Sequence, residues 1–312
     1  MFKKKQPSCV VIPKTPVKKR LYRDRYIYML LLPAFTYVII FQYLTMAGVV
    51  IAFQDFNIFK GFLGSEWVGL DNFKKIFTQS KFQVAIGNTL WVSLLNMILG
   101  YPLPIILAIL INELKDGLFK RVFQTVSYLP HFLSWMSIVG LIYMLFGRDG
   151  IVNDIRIWAG AQERITFLAQ QNLFPLFIFG ATQWQSVGWS TIIHLANISS
   201  INPELYEAAS IDGANRFQKV RYITWPHMKP MIVTLMILAM GNLFTSNFEL
   251  VYGLQNPYID FEVISTITYQ TGIVSGEYAV STALGLAEGL IALLLVLGAN
   301  WFSNKVSGSG LL

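Results

Sequence analysis

Few residues of this 312-residue sequence have the types and spacing that catalysis requires. No segment matches G-x4-G-K-[ST], the glycine-rich loop that holds the phosphates of ATP. His131 and His194 have no potential metal ligand at a suitable spacing. We therefore predict that the chain is not an enzyme, holds no metal and binds no cofactor of its own.

One acidic residue, Glu288, lies inside a long apolar run near the C-terminus. An ionisable side chain at the centre of a bilayer costs about 3 kcal/mol or more, so it normally faces a protein interior or water. Two interpretations stay open. Glu288 could accept hydrogen bonds from a bound molecule, or it could bond to a polar residue of a neighbouring helix, such as Asn242.

The chain as a whole is apolar, with 54% hydrophobic and 13% charged residues, whereas soluble domains carry about 25% charged residues. This composition predicts an all-α integral membrane protein, because spanning strands would alternate in polarity over about 10 residues. Runs with no more than one charged residue that reach the roughly 20 residues of a span predict six transmembrane helices. They cover approximately Tyr26–Phe53, Phe82–Ile111, Phe123–Phe146, Leu173–Ile198, Met231–Tyr252 and Tyr278–Phe302.

The positions of the basic residues predict which loops face the cytoplasm. Of the 24 Lys and Arg residues, 17 fall in residues 1–25, 112–122, 199–230 and 303–312. Only 7 fall in the alternate loops, 54–81, 147–172 and 253–277. Both termini are therefore predicted to be cytoplasmic, with the basic N-terminal run close to membrane lipid. Basic residues crowded at one end argue against nucleic acid as a partner.

The longest polar stretch of the C-terminal half runs from Glu204 to Pro226. Asn202 and Pro203 are typical of a helix start, so we predict a short helix over Pro203–Ile211. Gly213 can adopt the left-handed conformation that ends it, and a second short helix, Ala214–Ile223, is expected to end before Pro226. An ordinary loop is one alternative. A DNA-reading helix-turn-helix is another, but the segment has no third helix and is tethered to the membrane at both ends.

The spacing within this stretch resembles the E-A-A-x3-G-x9-I-x-L-P loop of bacterial ABC importer permeases. Trp225 stands where that family usually has Leu. The matching residues are Glu207, Ala208, Ala209, Gly213, Ile223 and Pro226. "IAFQDFNIFKGFLGSEWVGLDNF" at 51–73, "NTLWVSLLNMILGYPLPIILAILINEL" at 88–114 and "YLPHFLSW" at 128–135 are similar to the carbohydrate-uptake branch, and most of all to its LplB-like group.

This resemblance implies a type I ABC importer transmembrane domain that pairs with a second homologous permease. It also implies an ABC ATPase dimer, which binds ATP and Mg, and an extracytoplasmic solute-binding protein or lipoprotein. In this family the EAA helix is the coupling helix, seated in a groove of the ATPase. The implied function is import of a sugar or oligosaccharide across the bacterial cytoplasmic (inner) membrane, driven by ATP hydrolysis in the separate subunits.

A path for sugars would place aromatic rings against the apolar faces of sugar rings and polar groups against their hydroxyls. The candidate path residues are Gln183, Trp184, Trp189, Asn242 and Glu288. For the two tryptophans, the alternative is packing between helices or anchoring at the membrane interface.

We expect three regions: a cytoplasmic basic segment (1–25), a transmembrane permease domain (26–303) with the coupling loop at 203–226, and a cytoplasmic tail (304–312). The single cysteine, Cys9, excludes an internal disulfide. A rival hypothesis is a secondary transporter driven by an ion gradient. That class favours several buried ionisable residues and inverted repeats, whereas the predicted spans show one clear buried carboxylate and no repeat.

Overall fold

Helices dominate the computed structural model of the protein, which describes residues 22–307. The chain divides into two units, Met1–Val50 and Ile51–Leu312. The first unit, as far as it is described, is one helical run. It consists of α1 (Arg25–Val38), a π-helical turn (Ile39–Tyr43), α2 (Leu44–Met46) and a 3-10 helix (Ala47–Phe53) that continues into the second unit. Cys9, most of the predicted segment 1–25 and part of the predicted tail 304–312 lie outside the described residues.

The second unit has one small antiparallel ribbon, in which β1 (Gln54–Asp55) pairs with β2 (Glu66–Trp67). Its first helices are α3 (Gly61–Gly64), α4 (Asp71–Thr78), α5 (Ser80–Leu95), α6 (Pro102–Glu113), α7 (Leu118–Tyr128), α8 (Trp135–Phe146) and α9 (Ile151–Trp158). The remaining helices are α10 (Phe174–Ser199), α11 (Pro203–Ile211), α12 (Arg216–Lys219), α13 (Trp225–Met240), α14 (Phe248–Leu254), α15 (Ile264–Tyr269) and α16 (Tyr278–Ser307). Short 3-10 helices occupy Leu129–Phe132 and Phe167–Ala169, and π-helical turns occupy Asn96–Gly100, Val220–Thr224 and Gln270–Val274.

Within residues 22–307, five helical runs are long and apolar enough to cross a membrane. They are Arg25–Phe53, Ser80–Glu113, Trp135–Trp158, Arg216–Met240 and Tyr278–Lys305. The first, second and last confirm the predicted spans at those positions. These helices and the near absence of strand confirm the all-α membrane architecture.

The predicted fourth span corresponds to α10, a single helix of 26 residues. At about 1.5 Å per residue it is long enough to cross the hydrocarbon layer. It is nevertheless not among the five most apolar helical runs, because Gln183, Gln185 and His194 interrupt its apolar sequence. The prediction of a helix here is confirmed, and its polarity sets it apart from the other spans.

Two predicted spans are wrong as continuous helices. The third, 123–146, is interrupted at Leu133 and Ser134, which are both extended, and the Ser134 side chain caps the new helix α8 by accepting from the amide of Ser137. The fifth, 231–252, ends its helix at Met240. Asn247 then starts α14 by accepting from the amide of Leu250. In both places a capping side chain restarts a helix inside a run that carries too few charged residues to mark a boundary.

The interior of the second unit is built from three apolar clusters. The largest joins α8, α10 and α14 with residues 259–263, and includes Ile138, Ile178 and Leu250. Another joins α4, α5, α15 and α16, and the third joins α6, α10 and α13 beside the 203–226 segment. Helix α10 contributes to two of the three clusters and therefore holds the other helices in place.

Helix α10 packs tightly against the end of α7. Gly188 is buried, and a Cβ atom built at that position would overlap the backbone carbonyl of Ser127. Gly180, in the same helix, has open space where a Cβ atom would lie. Substituting alanine at each of the two glycines therefore distinguishes the effect of close packing from the intrinsic effect of glycine in a helix.

We expect Gly188→Ala to destabilise the protein by about 1–3 kcal/mol, the usual range for an overpacked site. Gly180→Ala should be neutral or stabilising by roughly 0.5–1 kcal/mol, because alanine favours helix over glycine. The melting temperatures of the two detergent-solubilised variants and the wild type measure this difference. Equal melting temperatures for the two variants would contradict the close approach of α10 and α7.

Candidate functional site: a polar cavity and a capped helix pair

A cavity of about 500 Å³ lies between α10, the α5–α6 helical run and the end of α13. Its polar lining residues are Ser93, Asn96, Tyr101, Thr182, Gln183, Ser186, Ser190, His194, Asn242 and Thr245. Among the described residues, no Lys, Arg, Asp or Glu lines this cavity, which we call the polar cavity. Hydroxyl and amide groups of this kind bind solutes that carry many hydroxyls.

The polar residues of α10 form a stripe along one side of the helix. Thr182, Ser186, Ser190 and His194 recur every four residues, so their side chains lie on one face. These are residues that lower the apolar character of α10 relative to the other spans. The polarity of this helix therefore marks the face that it turns towards the cavity.

Gln183 and Asn96 connect two helical runs across the polar cavity. The Gln183 Nε2 donates to Asn96 Oδ1 at 2.7 Å. Asn96 opens the π-helical turn Asn96–Gly100, and a Cβ atom on the buried Gly100 would overlap the Gln183 amide. π-Helical turns within α-helices often occur at functional sites. Gln183 was predicted from the sequence, whereas Asn96 was not, because its only signal is a single amide in an apolar run.

His194 lies on the wall of the polar cavity and is 3% exposed. Its Nδ1 is buried, and no described residue supplies a hydrogen-bond partner for it. Within residues 22–307, no three His, Cys, Asp or Glu side chains come close enough to hold a metal ion. The position of His194 in the cavity was not predicted from the sequence, where the histidine was weighed only as a metal ligand.

The two candidate tryptophans lie away from the polar cavity. Trp184 lines a separate apolar cavity of about 660 Å³ beside α8. Trp189 stacks on His131, with 4.5 Å between ring centroids and 6° between ring planes. The structure therefore brings Gln183 and Asn242 together, and places Trp184 and Trp189 on other faces of α10.

Glu288 borders this region through Thr245. The Thr245 Oγ1 donates to Glu288 Oε1 at 3.5 Å, and Thr245 itself lines the polar cavity. The predicted alternative partner, Asn242, is not the residue that bonds to Glu288. A second cavity of about 310 Å³ shares Asn96, Asn242 and Thr245 with the polar cavity and extends to Asn247, Val251 and Val263.

We predict that the Gln183–Asn96 hydrogen bond stabilises the helix pair by about 0.6 kcal/mol, the average for bonds between membrane helices. A double-mutant cycle tests this value. It compares the unfolding free energies of Gln183→Ala, Asn96→Ala, the double variant and the wild type. Strictly additive effects would show that the two amides do not interact in the folded protein.

The 203–226 segment begins as the sequence predicts. Helix α11 covers Pro203–Ile211, and the Asn202 Oδ1 accepts from the Glu204 amide at 3.1 Å. Gly213 follows with φ of 78°, the left-handed conformation expected of it. A Cβ atom there would meet open space, so only the backbone conformation favours glycine. The predicted first helix and glycine turn are confirmed.

The second half of the segment differs from the prediction. Helix α12 starts at Arg216 with a reciprocal capping pair, Asn215 and Gln218. It then continues through the π-helical turn Val220–Thr224 into α13, as one run of 25 residues to Met240. The expected helix end before Pro226 is therefore wrong. Pro226 lies in the first turn of α13, where the wider π turn accommodates its missing N–H and its ring.

One side of the helix pair is anchored and the other is exposed. The Tyr206 hydroxyl forms a 2.8 Å hydrogen bond with the Thr224 hydroxyl, and Tyr206 and Ile223 pack against the cluster of α6, α10 and α13. Ile211 and Phe217, by contrast, are 87% and 76% exposed. The segment also exposes Leu205, Glu207, Ala208, Gly213 and Pro226, whereas Ala209 is half-buried. We call Leu205, Ala208, Ile211 and Phe217 the exposed apolar face.

Contacts between loops agree with the predicted sides of the membrane. Arg216 lies 4.0 Å from Glu113, and both belong to loops predicted to be cytoplasmic. On the opposite side, the Asp260 amide donates to Gln171 Oε1 at 3.0 Å. Loops assigned to one side of the membrane thus contact each other.

Comparison with known proteins identifies the family of the chain. Residues 100–307 match the family described as binding-protein-dependent transport system inner membrane component. The chain belongs to this family. The matched residues contain α10, the 203–226 segment and most of the polar cavity, so these features lie in the part that defines a transport permease.

Individual relatives cover nearly the whole chain. It is 40% identical to the polygalacturonan/rhamnogalacturonan transport system permease protein YteP of Bacillus subtilis, over 100% of this chain and 95% of YteP. It is 38% identical to protein LplB of the same organism, over 93% and 92% of the two chains. A crystal structure of a bacterial alginate ABC transporter, in complex with an alginate pentasaccharide-bound periplasmic protein, contains a chain with 35% identity and a TM-score of 0.85. That match covers 95% of this chain and 99% of the other.

These findings confirm the resemblance to ABC importer permeases. The chain is an inner-membrane permease component, and the ATP-hydrolysing subunit of such importers is a separate one. The rival hypothesis of a secondary transporter is not supported.

Proposed function

We propose that this permease forms, with a second homologous permease, the path by which a saccharide enters a bacterial cell. The polar cavity is the observation that carries the proposal. It has about 500 Å³ of space and a lining of neutral hydroxyl, amide and imidazole groups. Such groups suit sugar hydroxyls, which both donate and accept hydrogen bonds.

The relatives support a saccharide as the class of solute. YteP is named for polygalacturonan and rhamnogalacturonan, and the related crystal structure holds a periplasmic protein with a bound alginate pentasaccharide. By the same comparison, an extracytoplasmic solute-binding protein or lipoprotein delivers the saccharide to this permease. The path residues in this proposal are Gln183 and Asn242, with Asn96 and His194 added from the structure.

The energy comes from an ABC ATPase dimer that binds ATP and Mg and docks on the 203–226 segment. The exposed apolar face supports this docking, because large apolar side chains held in water favour burial by a partner. Ala208 and Ala209 allow a close approach, and Glu207 offers a polar anchor. Gly213 sets the angle between the two helices of the segment.

The continuous helix in this region suggests how a movement of the docked ATPase would be transmitted to the polar cavity. The run Arg216–Met240 starts at the docking segment, and its residues Leu235 and Ala239 line the polar cavity. At 1.5 Å per residue, its 25 residues span roughly 37 Å. A shift of the docked helices would therefore move the cavity wall as part of one rigid body.

Reconstituted uptake tests the proposal directly. The permease is assembled with its partner permease, its ATPase and its binding protein in proteoliposomes, and uptake of labelled oligosaccharides is followed. We expect uptake that requires both ATP and the binding protein. Uptake driven by an ion gradient without ATP, or no uptake of any oligosaccharide by the complete complex, would refute the proposed function.

Gly213→Val tests the coupling segment. Valine rarely adopts φ of 78°, so the turn should distort at a cost of at least about 1 kcal/mol. We expect a complex that assembles in the membrane but shows strongly reduced ATP-driven uptake. Gly213→Asn is the matched control, because asparagine tolerates this conformation, and it should keep most of the uptake. Normal uptake by an assembled Gly213→Val complex would contradict the role assigned to this turn.

The proposed orientation places both termini and the 203–226 segment in the cytoplasm. Single cysteines at Ser210 and Tyr258, introduced with Cys9→Ser, test it. A membrane-impermeant maleimide should label Tyr258→Cys in intact spheroplasts, and Ser210→Cys only after the membrane is opened. The reverse labelling pattern would show that the topology is opposite to the proposed one.

A further inference from the structure

A further cavity is lined by residues between 252 and 270. It has about 470 Å³ of space and is lined by Tyr252, Gln255, Asn256, Ile259, Glu262 and Gln270. We call it the outer vestibule. It is formed by the end of α14, the loop that follows, and the residue after α15.

The outer vestibule and the 310 Å³ cavity, which we call the connecting cavity, are lined by neighbouring residues of the same segments. Val251 and Val263 line the connecting cavity, and Tyr252 and Glu262, the adjacent residues in the chain, line the outer vestibule. Val251 and Val263 are buried, whereas Tyr252 is 42% exposed. The connecting cavity also shares three lining residues with the polar cavity.

Two polar side chains of the outer vestibule have no hydrogen-bond partner among the described residues. Asn256 is occupied, because its amide donates to the Leu168 carbonyl at 2.9 Å. The Gln255 Nε2 donates to the Phe261 carbonyl at 3.0 Å. Within residues 22–307, however, the Tyr252 hydroxyl and the Gln270 side-chain amide form no hydrogen bond. Both groups are thus available to a molecule in the cavity.

The aromatic part of the wall is fixed by packing. Tyr252 stacks on Phe248 with 5.1 Å between centroids and meets Tyr269 edge-on at 5.4 Å. Phe248 and Tyr269 also pack together, at 5.1 Å. A rigid aromatic group beside free polar groups is the combination that binds a sugar ring through its apolar face and its hydroxyls.

The one charged residue of the vestibule is acidic. Glu262 accepts a hydrogen bond from Thr266 through Oε2, which holds its carboxylate in place. Among the described residues, no Lys or Arg lines the outer vestibule, the connecting cavity or the polar cavity. A carboxylate on a bound sugar would therefore meet a like charge without a compensating cation, and the repulsion grows as water is excluded.

We propose that the outer vestibule is a saccharide subsite that accepts a neutral sugar unit and discriminates against a uronate. Gln270 and Tyr252 bond to its hydroxyls, the Tyr252 ring packs against its apolar face, and the Glu262 carboxylate accepts from a further hydroxyl. The proposal rests on the proposed function as a saccharide permease. It adds the position of an entry subsite and the charge of the unit that the subsite takes.

Cysteine protection tests the subsite without the binding protein. Gln255→Cys is introduced with Cys9→Ser, because Gln255 lines the vestibule and bonds to Phe261 rather than to the sugar. The complete permease–ATPase complex is placed in nanodiscs, and the rate of maleimide labelling at this cysteine is read by mass spectrometry, with arabinotriose as the neutral probe and trigalacturonate as the acidic one. Ile259→Cys, at another lining position without an assigned sugar contact, serves as a second probe if Gln255→Cys fails to assemble. Tyr258→Cys is the control, because Tyr258 is 76% exposed and does not line the vestibule.

At about ten times its dissociation constant, arabinotriose should slow labelling of Gln255→Cys about tenfold, because only the unoccupied fraction reacts. Trigalacturonate should not protect, and adding Glu262→Gln should make it protect. Neither sugar should change the labelling of Tyr258→Cys. Lack of protection by both sugars at both probe positions, or stronger protection by trigalacturonate with Glu262 intact, overturns the subsite. A complex that takes up saccharide but shows no protection overturns this inference and leaves the proposed function standing.

Discussion

A polar group inside a membrane protein must find a partner within the protein, because lipid offers none. Helix α10 carries several such groups along one side, and this requirement determines its position. Its polar stripe faces α5, α6 and α13 across a shared cavity, and its apolar residues complete two of the three core clusters. The cavity therefore follows from the composition of one helix, and the helices around it are arranged to satisfy that helix.

The 203–226 segment depends on a different constraint, because its helices must end and restart in fixed directions. Asn202 begins α11, Gly213 turns the chain, and Asn215 with Gln218 begins α12. The π-helical turn before Trp225 then carries the helix past a proline without a break. The continuous helical run Arg216–Met240 thus links the exposed apolar face to the polar cavity.

Local sequence signals predicted much of this architecture. The apolar runs at 26–53, 82–111 and 278–302 predicted helices, and the capping residues predicted Pro203–Ile211, because both signals act over short distances. The same reasoning failed where a serine or an asparagine restarts a helix inside an apolar run, at Ser134 and Asn247. It also failed for Asn96, since a hydrogen bond to a residue 87 positions away leaves no mark on the local pattern. Trp184 and Trp189 were predicted from their residue type and their position near the middle of a span, and neither signal decides which side of a helix meets the cavity.

The Gln183–Asn96 hydrogen bond affects how strongly a sugar would bind in the polar cavity. The two amides already bond to each other at 2.7 Å. Under the proposed function, a sugar that bonds to either amide would have to replace this hydrogen bond. Replacing one hydrogen bond by another yields little net free energy. A sugar would therefore be held weakly at this point, which would favour its release, and strong binding would have to come from the solute-binding protein.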